Sequence, residues 1–162
     1  MVGYDDLKRR KNIGYESCIE IIMARYLLDT NILVYILLQE LDSLSTETMN
    51  ILEDYDNQLF TSSIVVIEVM QLFRIGKIKS KDFKTNNELY FGIEDRLNIK
   101  ILPFAKEHAN TLSKLKIQAG HNDPFDHSII SHAITEKMIL VSSDKKFEAY
   151  TGQQLLFSFN KR

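Results

Sequence analysis

The stretch from Tyr26 to Leu38 restricts the fold more than any other part of this sequence. A short apolar run, Tyr26–Leu28, stops at a carboxylate, a hydroxyl and an amide, and a longer apolar run follows at once. This pattern indicates a buried strand and then a helix. We predict that Asp29 lies at the carboxyl end of the strand and Asn31 near the helix start. Because ligands bind at that edge of open α/β sheets, this turn is the first candidate site.

Strands and helices alternate through the remainder of the chain. Four further strands are predicted, at 58–61, 99–103, 138–141 and 154–157. Six further helices are predicted, at 45–55, 64–73, 90–97, 108–118, 124–134 and 145–150. Strands that alternate with helices form a mainly parallel sheet with helices on both faces. We therefore expect an α/β fold.

Length and composition are those of an ordinary globular protein with one domain. The 162 residues are 44% apolar and 26% charged, with a formal net charge of -2. This charge argues against a protein that coats nucleic acid through bulk positive charge, but it is compatible with an acidic, metal-loaded site. Cys18 is the single cysteine, so we expect neither an internal disulfide nor a cysteine zinc site. No stretch resembles a signal peptide or a membrane span, and we expect a cytoplasmic protein.

The first 22 residues are predicted to be a weakly ordered extension. The segment 1–17 is polar and charged without a clear period, and it contains Gly3 and Gly14. Such a composition disfavours packed structure. Strand-forming sequence begins after Met23, so we place the compact domain at 23–162.

Four acidic residues fall at comparable places in the predicted elements, and they are Asp29, Glu68, Asp126 and Asp144. Asp29 and Asp144 follow strands, and Asp126 lies in the first turn of a helix. Each of these three has a structural alternative, because aspartates often cap helices or occupy their first turn. The same alternative applies to Asp123, which immediately precedes the helix.

Glu68 is the hardest of the four to explain in structural terms. Its helix, 64–73, is apolar almost all round, which predicts that the helix lies in the interior. An unpaired buried carboxylate costs on the order of several kcal/mol. The helix carries no basic residue before Arg74. We therefore expect a bound cation as the partner of Glu68.

Carboxylates that converge from several segments favour Mg²⁺ or Mn²⁺, which prefer oxygen ligands and retain water. Such clusters drive phosphodiester hydrolysis by clamping the phosphate oxygens and deprotonating a water. Zinc is the weaker alternative. The three histidines His121, His127 and His132 lack the i, i+4 spacing of a helical zinc-binding pair.

Taken together, these segments resemble PIN domains of the VapC toxin type over about 24–159. The sequence L-D-T-N at 28–31 is similar to the family's first acidic motif, and 62–68 is similar to its helix with the second acid. H-N-D-P-F-D at 121–126 matches the H-x-D-P-F-D signature of one branch, and 141–147 resembles the closing motif. The resemblance implies a PIN-like three-layer α/β/α sandwich with a central, mainly parallel sheet.

The resemblance also implies the site residue by residue. Four residues inherit the roles of metal ligands and catalytic acids, namely Asp29, Glu68, Asp126 and Asp144. Four others inherit supporting roles, namely Thr30, Asn31, Ser142 and Asp123. Among these, Ser142 is the hydroxyl that helps to hold metal or water, and Asp123 is a helix cap or a more distant acid.

What the family implies is an endoribonuclease that uses Mg²⁺ or Mn²⁺, cuts cellular RNA and is held inactive by a cognate antitoxin. Homodimers are usual in the family. This sequence departs from the family pattern in two places. His127 stands where the branch usually has arginine, and the extension at 1–22 has no counterpart.

Two other functions are considered beside this one. A phosphatase with Asp29 as nucleophile would need a second acid shortly after it, and Thr30 to Ile32 provide none. A catalytically inactive PIN-like protein that serves as a binding module is the second alternative. The presence of all four acids argues against it.

Removal of the extension tests whether it is dispensable. A protein that starts at Met23 should stay soluble, melt cooperatively and keep its activity, because the preceding sequence has no apolar period. Circular dichroism, thermal melting and RNA cleavage by the shortened and full chains measure this, and a loss of nuclease activity would also contradict it. An insoluble or unfolded product would assign part of 1–22 to the fold.

Overall fold

A computed structural model of the chain describes residues 23–161. The predicted extension at 1–22 lies outside the described residues, as does residue 162. Within the described range the chain forms a three-layer α/β/α sandwich around a parallel sheet, as predicted.

The described residues form five parallel strands: β1 (Arg25–Leu28), β2 (Gln58–Ser62), β3 (Lys100–Leu102), β4 (Ile139–Ser142) and β5 (Leu156–Phe159). Their order across the sheet is β3-β2-β1-β4-β5. The chain therefore extends the sheet in one direction from β1 and later returns to extend it in the other. This switch lies between β1 and β4, and ligands bind at the carboxyl edge of such a point.

Six α-helices lie in the same range: α1 (Thr30–Leu38), α2 (Thr46–Glu53), α3 (Ser63–Arg74), α4 (Asn86–Asp95), α5 (Lys106–Leu112) and α6 (Pro124–Glu136). Two 3₁₀ segments, Leu41–Ser43 and Lys145–Gln153, complete the description. The second of these replaces the short helix predicted at 145–150. Of the helices described, none is long and apolar enough to cross a membrane.

The helix starts follow the capping signals in the sequence. At the starts of α1, α2 and α3, backbone amides donate hydrogen bonds to the side-chain oxygens of Asp29, Ser45 and Ser62. Asp123 does the same for α6, and Asp144 for the second 3₁₀ segment. Each cap satisfies an amide that has no partner within its own helix. Three of these caps stand at or just after the end of a strand, which concentrates polar side chains at one edge of the sheet.

The central strands are buried on both faces. Leu27 and Leu28 of β1 and Leu140 and Val141 of β4 are fully buried, as expected for parallel strands covered by helices. Leu28 lies opposite Val141 in the register of the two strands. A shift of one residue would turn every side chain to the other face and would require the core to repack on both sides of the sheet. The turns that follow β1 and β4 consequently meet at the same edge.

Helix α3 is not an interior helix, and that expectation was wrong. Val65, Val66 and Val69 are buried, whereas Ile67 is 51% exposed and Gln71 is exposed as well. Residues four apart lie on the same side of a helix, so α3 has a solvent face. Because Ile67 on the solvent face is apolar, the sequence of α3 does not show the alternation of apolar and polar faces.

Helix α5 is shorter than predicted, since it ends at Leu112 rather than near 118. The amide of Lys116 donates to Gln153 Oε1 at 2.8 Å, and its carbonyl accepts from Gln153 Nε2 at 2.9 Å. The backbone of Lys116 is therefore hydrogen-bonded to a side chain 37 residues away rather than within a helix. The apolar spacing continues past 112, but the helix does not.

Candidate active site

Asp29 lies at the carboxyl end of β1, and three donors hold its carboxylate. The Thr30 amide donates to Oδ1 at 2.7 Å. Asn31 Nδ2 and Ser142 Oγ donate to Oδ2 at 2.9 and 2.6 Å. Only 4% of Asp29 is exposed, so these donors replace the water that a buried carboxylate loses. The capping role that the sequence left open for Asp29 is thus present in the structure.

Asn31 and Ser142 also join the turn after β1 to the turn after β4. Ser143 donates its amide to Asn31 Oδ1 at 3.0 Å, and Asp144 donates its amide to Ser142 Oγ at 2.9 Å. Ser142 Oγ also accepts from Asn31 Nδ2 at 3.3 Å and donates to Asp29, which satisfies its hydroxyl in both directions. The two turns therefore form one hydrogen-bonded unit.

Glu68 reaches the same place from α3. Its Oε2 accepts a hydrogen bond from the Thr30 hydroxyl at 2.6 Å. The expectation that apolar side chains enclose Glu68 was wrong, because the residue is half-buried beside the solvent face of α3. A half-buried carboxylate with a hydroxyl donor does not in itself require a cation. The bond to Thr30 uses one of its oxygens and leaves the other for a ligand.

Asp126 lies in the first turn of α6, where His121 Nε2 contacts its Oδ2 at 2.8 Å. Asp123 is exposed and accepts the Phe125 amide at 2.9 Å, so of its two predicted roles it has that of helix cap. Asp144 caps the 3₁₀ segment that follows it. Asp126 and Asp144 are thus each held by a contact with a residue close to them in the sequence.

The four predicted acids line one open cleft of about 350 Å³. Beside the acids, the lining residues are Thr30, Asn31, Val34, Tyr35 and Leu72. Ser142 and Asp123 are not on the lining. Ser142 is fully buried and touches Asp29 rather than the cleft, and Asp123 lies at the helix cap.

Burial and crowding raise the pKa of three carboxylates in this cleft. The pKa of Asp29 rises from 3.8 to about 7, chiefly because the group is buried; its hydrogen bonds oppose the rise, and Asp126 and Glu68 add to it. Burial also raises the pKa of Glu68 and of Asp126 above their ordinary values, and repulsion from Asp123 adds to both. A cation in the cleft would favour the ionised form of all three.

The donor set of the cleft fits Mg²⁺ or Mn²⁺. It consists of carboxylate oxygens together with a hydroxyl and an amide, the hard ligands that these ions prefer. No three of the four acids bring oxygens within 4.8 Å of one another. That spacing suits an ion that one or two carboxylates bind directly while water fills the other positions, as is usual for Mg²⁺.

A second group of potential ligands lies away from the cleft, between α5 and α6. Among the residues described, His108, His132 and Glu136 are the one set of three such side chains with ligand atoms all within 4.8 Å. The Ala105 amide donates to His108 Nδ1 at 2.8 Å. The proton of the neutral ring is therefore on Nε2, which donates to Glu136 Oε1 at 3.1 Å. A nitrogen that carries a proton has no lone pair for a metal, so this group does not fit one.

The three histidines of the zinc alternative do not come together as one set of ligands. The rings of His121 and His127 lie 5.1 Å apart, whereas His132 stacks on His108 at 3.9 Å. Burial, and secondarily the neighbouring His108, lower the pKa of His132 to about 4, so it is neutral near pH 7. His127, which stands where the branch usually has arginine, donates from Nε2 to the carbonyl of His121 at 2.9 Å.

Several residues of the site had no predicted role in it. His121 was identified as the first residue of a motif but not as the partner of Asp126. Val34 and Leu72 form an apolar wall of the cleft. They follow Thr30 and Glu68 by four positions, so helical spacing from the predicted site residues would have identified them.

The comparison with protein families gives one match: a model described as the PIN domain covers residues 26–153. A comparison with curated proteins gives no match.

Several solved structures share the fold. The structure of VapBC2 from Rickettsia felis bound to a DNA fragment from their promoter aligns at 25% identity with a TM-score of 0.60, over 85% of this chain and 99% of that one. DNA-bound VapBC from Salmonella typhimurium aligns at 19% identity with a TM-score of 0.60, over 86% of this chain and 100% of that one. VapBC-1 from nontypeable Haemophilus influenzae aligns at 19% identity with a TM-score of 0.60, over 85% of this chain and 99% of that one. At 19% identity, the last two are evidence of a common fold alone.

Metal-free protein should lose stability as the pH rises from about 4 to about 7. Because the folded pKa of Asp29 is about 7 and its ordinary value is 3.8, the native state holds a proton in this interval that the unfolded chain has released. A native state that binds more protons is disfavoured by rising pH. Melting temperatures in EDTA across this range should fall by several degrees. A flat or rising profile would contradict the shift.

Glu68→Gln should melt a few degrees above the wild type in EDTA near pH 7.5. The amide keeps the bond from the Thr30 hydroxyl and removes a charge whose pKa is raised by burial. The difference should shrink as the pH falls below the ordinary glutamate pKa of 4.5, because the glutamate is then increasingly protonated in both states. The exposed Glu53→Gln serves as control. Added Mn²⁺ should stabilise the wild type more than the Glu68 variant. If Glu68→Gln melts lower in EDTA, the metal role of Glu68 is withdrawn.

Proposed function

This chain belongs to the PIN-domain family, and from that premise we propose that it is a metal-dependent endoribonuclease, the toxin of a VapBC-type toxin–antitoxin pair. The observation that carries the proposal is the cleft in which carboxylates from four separate segments meet. The relationship to VapBC2 of Rickettsia felis supports the toxin part of the proposal.

Asp29, Glu68, Asp126 and Asp144 are the proposed catalytic acids and metal ligands, one or two binding the ion directly and the others through bound water. Four residues support them: Thr30, Asn31, Ser142 and Asp123. Asp123 contributes through its charge, since its repulsion already raises the pKa of Glu68 and of Asp126. A cation is attracted by the same field.

When bound, Mg²⁺ or Mn²⁺ would polarise the phosphate and lower the pKa of the attacking water. The protein residues supply the orientation. Asn31 and Ser142 hold Asp29, and the Thr30 hydroxyl holds Glu68. These bonds hold the Asp29 and Glu68 side chains in place, so they need little further ordering when a ligand arrives.

The cleft also suits a basic side chain from an inhibitory partner. A guanidinium can satisfy two carboxylate oxygens at once and so take the place of a metal. Val34 and Leu72 offer apolar contact beside the acids. We propose that the cognate antitoxin inserts an arginine among these carboxylates. In keeping with its family, we further propose that the protein acts as a homodimer in the cytoplasm.

The wild-type protein should cut single-stranded RNA in Mn²⁺ or Mg²⁺, and EDTA should stop it. Asp29→Asn and Asp126→Asn should each lower the rate by about 100-fold or more, a loss typical of removing a group that acts in the transition state. Gel analysis of a labelled RNA gives the rates, and circular dichroism checks the fold.

Asp95→Asn is the matched control, because Asp95 is an exposed aspartate outside the cleft. Its activity should equal that of the wild type. Equal activity in all four proteins would point to a contaminating nuclease. A wild type that cuts nothing under any metal condition would favour the catalytically inactive binding module.

The product of the neighbouring reading frame should bind this chain and lower its activity by about tenfold or more. Replacing the inserted arginine by glutamine should remove most of the inhibition, and lysine should restore only part of it, because lysine cannot bond two carboxylates in the same plane. Titration of RNA cleavage with each partner variant measures this. A product that fails to bind, or binds without inhibition, would remove the antitoxin from the proposal.

A further inference from the structure

We propose that His121 is a positioning residue that presents the Asp126 carboxylate to the cleft in one orientation. The inference rests on the proposed function, since it assigns a task within the same metal site. An ionised carboxylate only accepts hydrogen bonds, so the 2.8 Å contact is a donation from His121 Nε2–H to Asp126 Oδ2. That bond occupies one oxygen and leaves the other for a ligand.

A tight turn delivers His121 to this place. Its amide donates to the carbonyl of Gln118 at 3.1 Å, closing a turn over 118–121. Gly120, the third residue of that turn, has a φ of +79°, in the left-handed region that favours glycine. The Gln118 amide in turn donates to the Tyr150 hydroxyl at 3.3 Å. The position of His121 is thus set by the backbone as well as by its own contact with Asp126.

Aromatic rings then enclose the imidazole. Those of His127, Tyr150 and Phe147 have their centroids 5.1, 5.5 and 5.7 Å from that of His121. The residue is only 3% exposed. A ring packed in this way cannot swing away from Asp126 without displacing the 3₁₀ segment that follows Asp144.

Packing alone does not explain a histidine at this position. Its Nδ1 is buried and has no hydrogen-bond partner among the residues described, and a buried polar atom without a partner is unfavourable. A phenyl ring would fill the same aromatic pocket without that cost. What the imidazole adds is the N–H directed at Asp126.

Asp126 needs such a partner more than its neighbours do. Donors from the turns of β1 and β4 fix Asp29, and the Thr30 hydroxyl fixes Glu68. Asp126 is partly exposed on the first turn of a helix, where a side chain is otherwise free to change rotamer. Ordering it in advance removes an entropic cost from ligand binding. Residues that orient a metal ligand commonly change metal affinity or activity by 10–100-fold.

The test measures Mn²⁺ affinity by isothermal titration calorimetry, so it does not depend on RNA cleavage. His121→Phe keeps the ring and removes the donor, and His121→Gln puts an amide N–H near the position of Nε2. Mn²⁺ binding should weaken about tenfold or more in the phenylalanine variant, and it should return to within about threefold of the wild type in the glutamine variant.

His108→Phe is the matched control. His108 is also a buried histidine whose Nε2 donates to a carboxylate, that of Glu136, and it lies outside the cleft. This variant should bind Mn²⁺ as the wild type does. A loss of affinity in it as large as in His121→Phe would mean that any damaged histidine–carboxylate pair weakens the site, and it would overturn the inference.

A measurement on the wild type keeps the inference testable if the phenylalanine variant does not fold. In nitrogen-15 spectra of the imidazoles, Mg²⁺ should shift the Nε2 signal of His121 and leave that of His108 in place. Unchanged His121 signals at saturating Mg²⁺ would overturn the inference, as would a glutamine variant no better than the phenylalanine one.

The same experiments separate the two proposals. Protein that binds Mn²⁺ with this pattern of affinities but cuts no RNA would refute the proposed nuclease and keep His121 as a positioning residue. If the protein cuts RNA but the wild type and His121→Phe bind Mn²⁺ equally well, the proposed nuclease would be kept and the positioning role of His121 refuted. A wild type that binds no Mn²⁺ would refute both.

Discussion

The hydrogen bond from Ser142 to Asp29 is the contact on which the rest of the site depends. It joins side chains 113 positions apart at a distance of 2.6 Å, and it exists only if β4 lies beside β1 in the observed register. Both faces of these strands pack against the core, so a change of register would require that core to repack. Asn31 makes a parallel connection to Ser143. The hydrophobic core therefore acts on function indirectly, by bringing two polar turns together and allowing little relative movement.

The parts of this fold that depend on local sequence could be predicted, and so could the acids of the cleft. Apolar runs ended by polar caps gave β1 and β4 with nearly their observed bounds, and Asp29 and Asp144 stand where those runs stop. A parallel sheet then requires that they share an edge. For Glu68 the predicted place was right but the argument was wrong, because an exposed Ile67 made a surface helix resemble an interior one. Composition along a helix does not reveal which face meets the sheet.

What could not be predicted depends on contacts between distant segments. Lys116, just past the end of α5, is hydrogen-bonded to Gln153, and the partner of His108 is Glu136 on another helix. Neither relation leaves a periodic trace in the sequence. His121 and Asp126 are only five positions apart, and their motif was visible. Which nitrogen of the ring meets the carboxylate still depends on the turn at Gly120 and on rings contributed by the 3₁₀ segment.

The order of strands in the sheet also governs when the cleft can exist during synthesis of the chain. Strands β1, β2 and β3 leave the ribosome first and can pair with one another, but the other side of β1 must wait for β4. Domains commonly begin to fold while translation continues. Until Ser142 emerges, Asp29 lacks its hydroxyl donor, and Asp144 has not yet joined the other acids. Completion of the cleft therefore comes late in synthesis, after the three strands on the other side of the sheet are already able to pair.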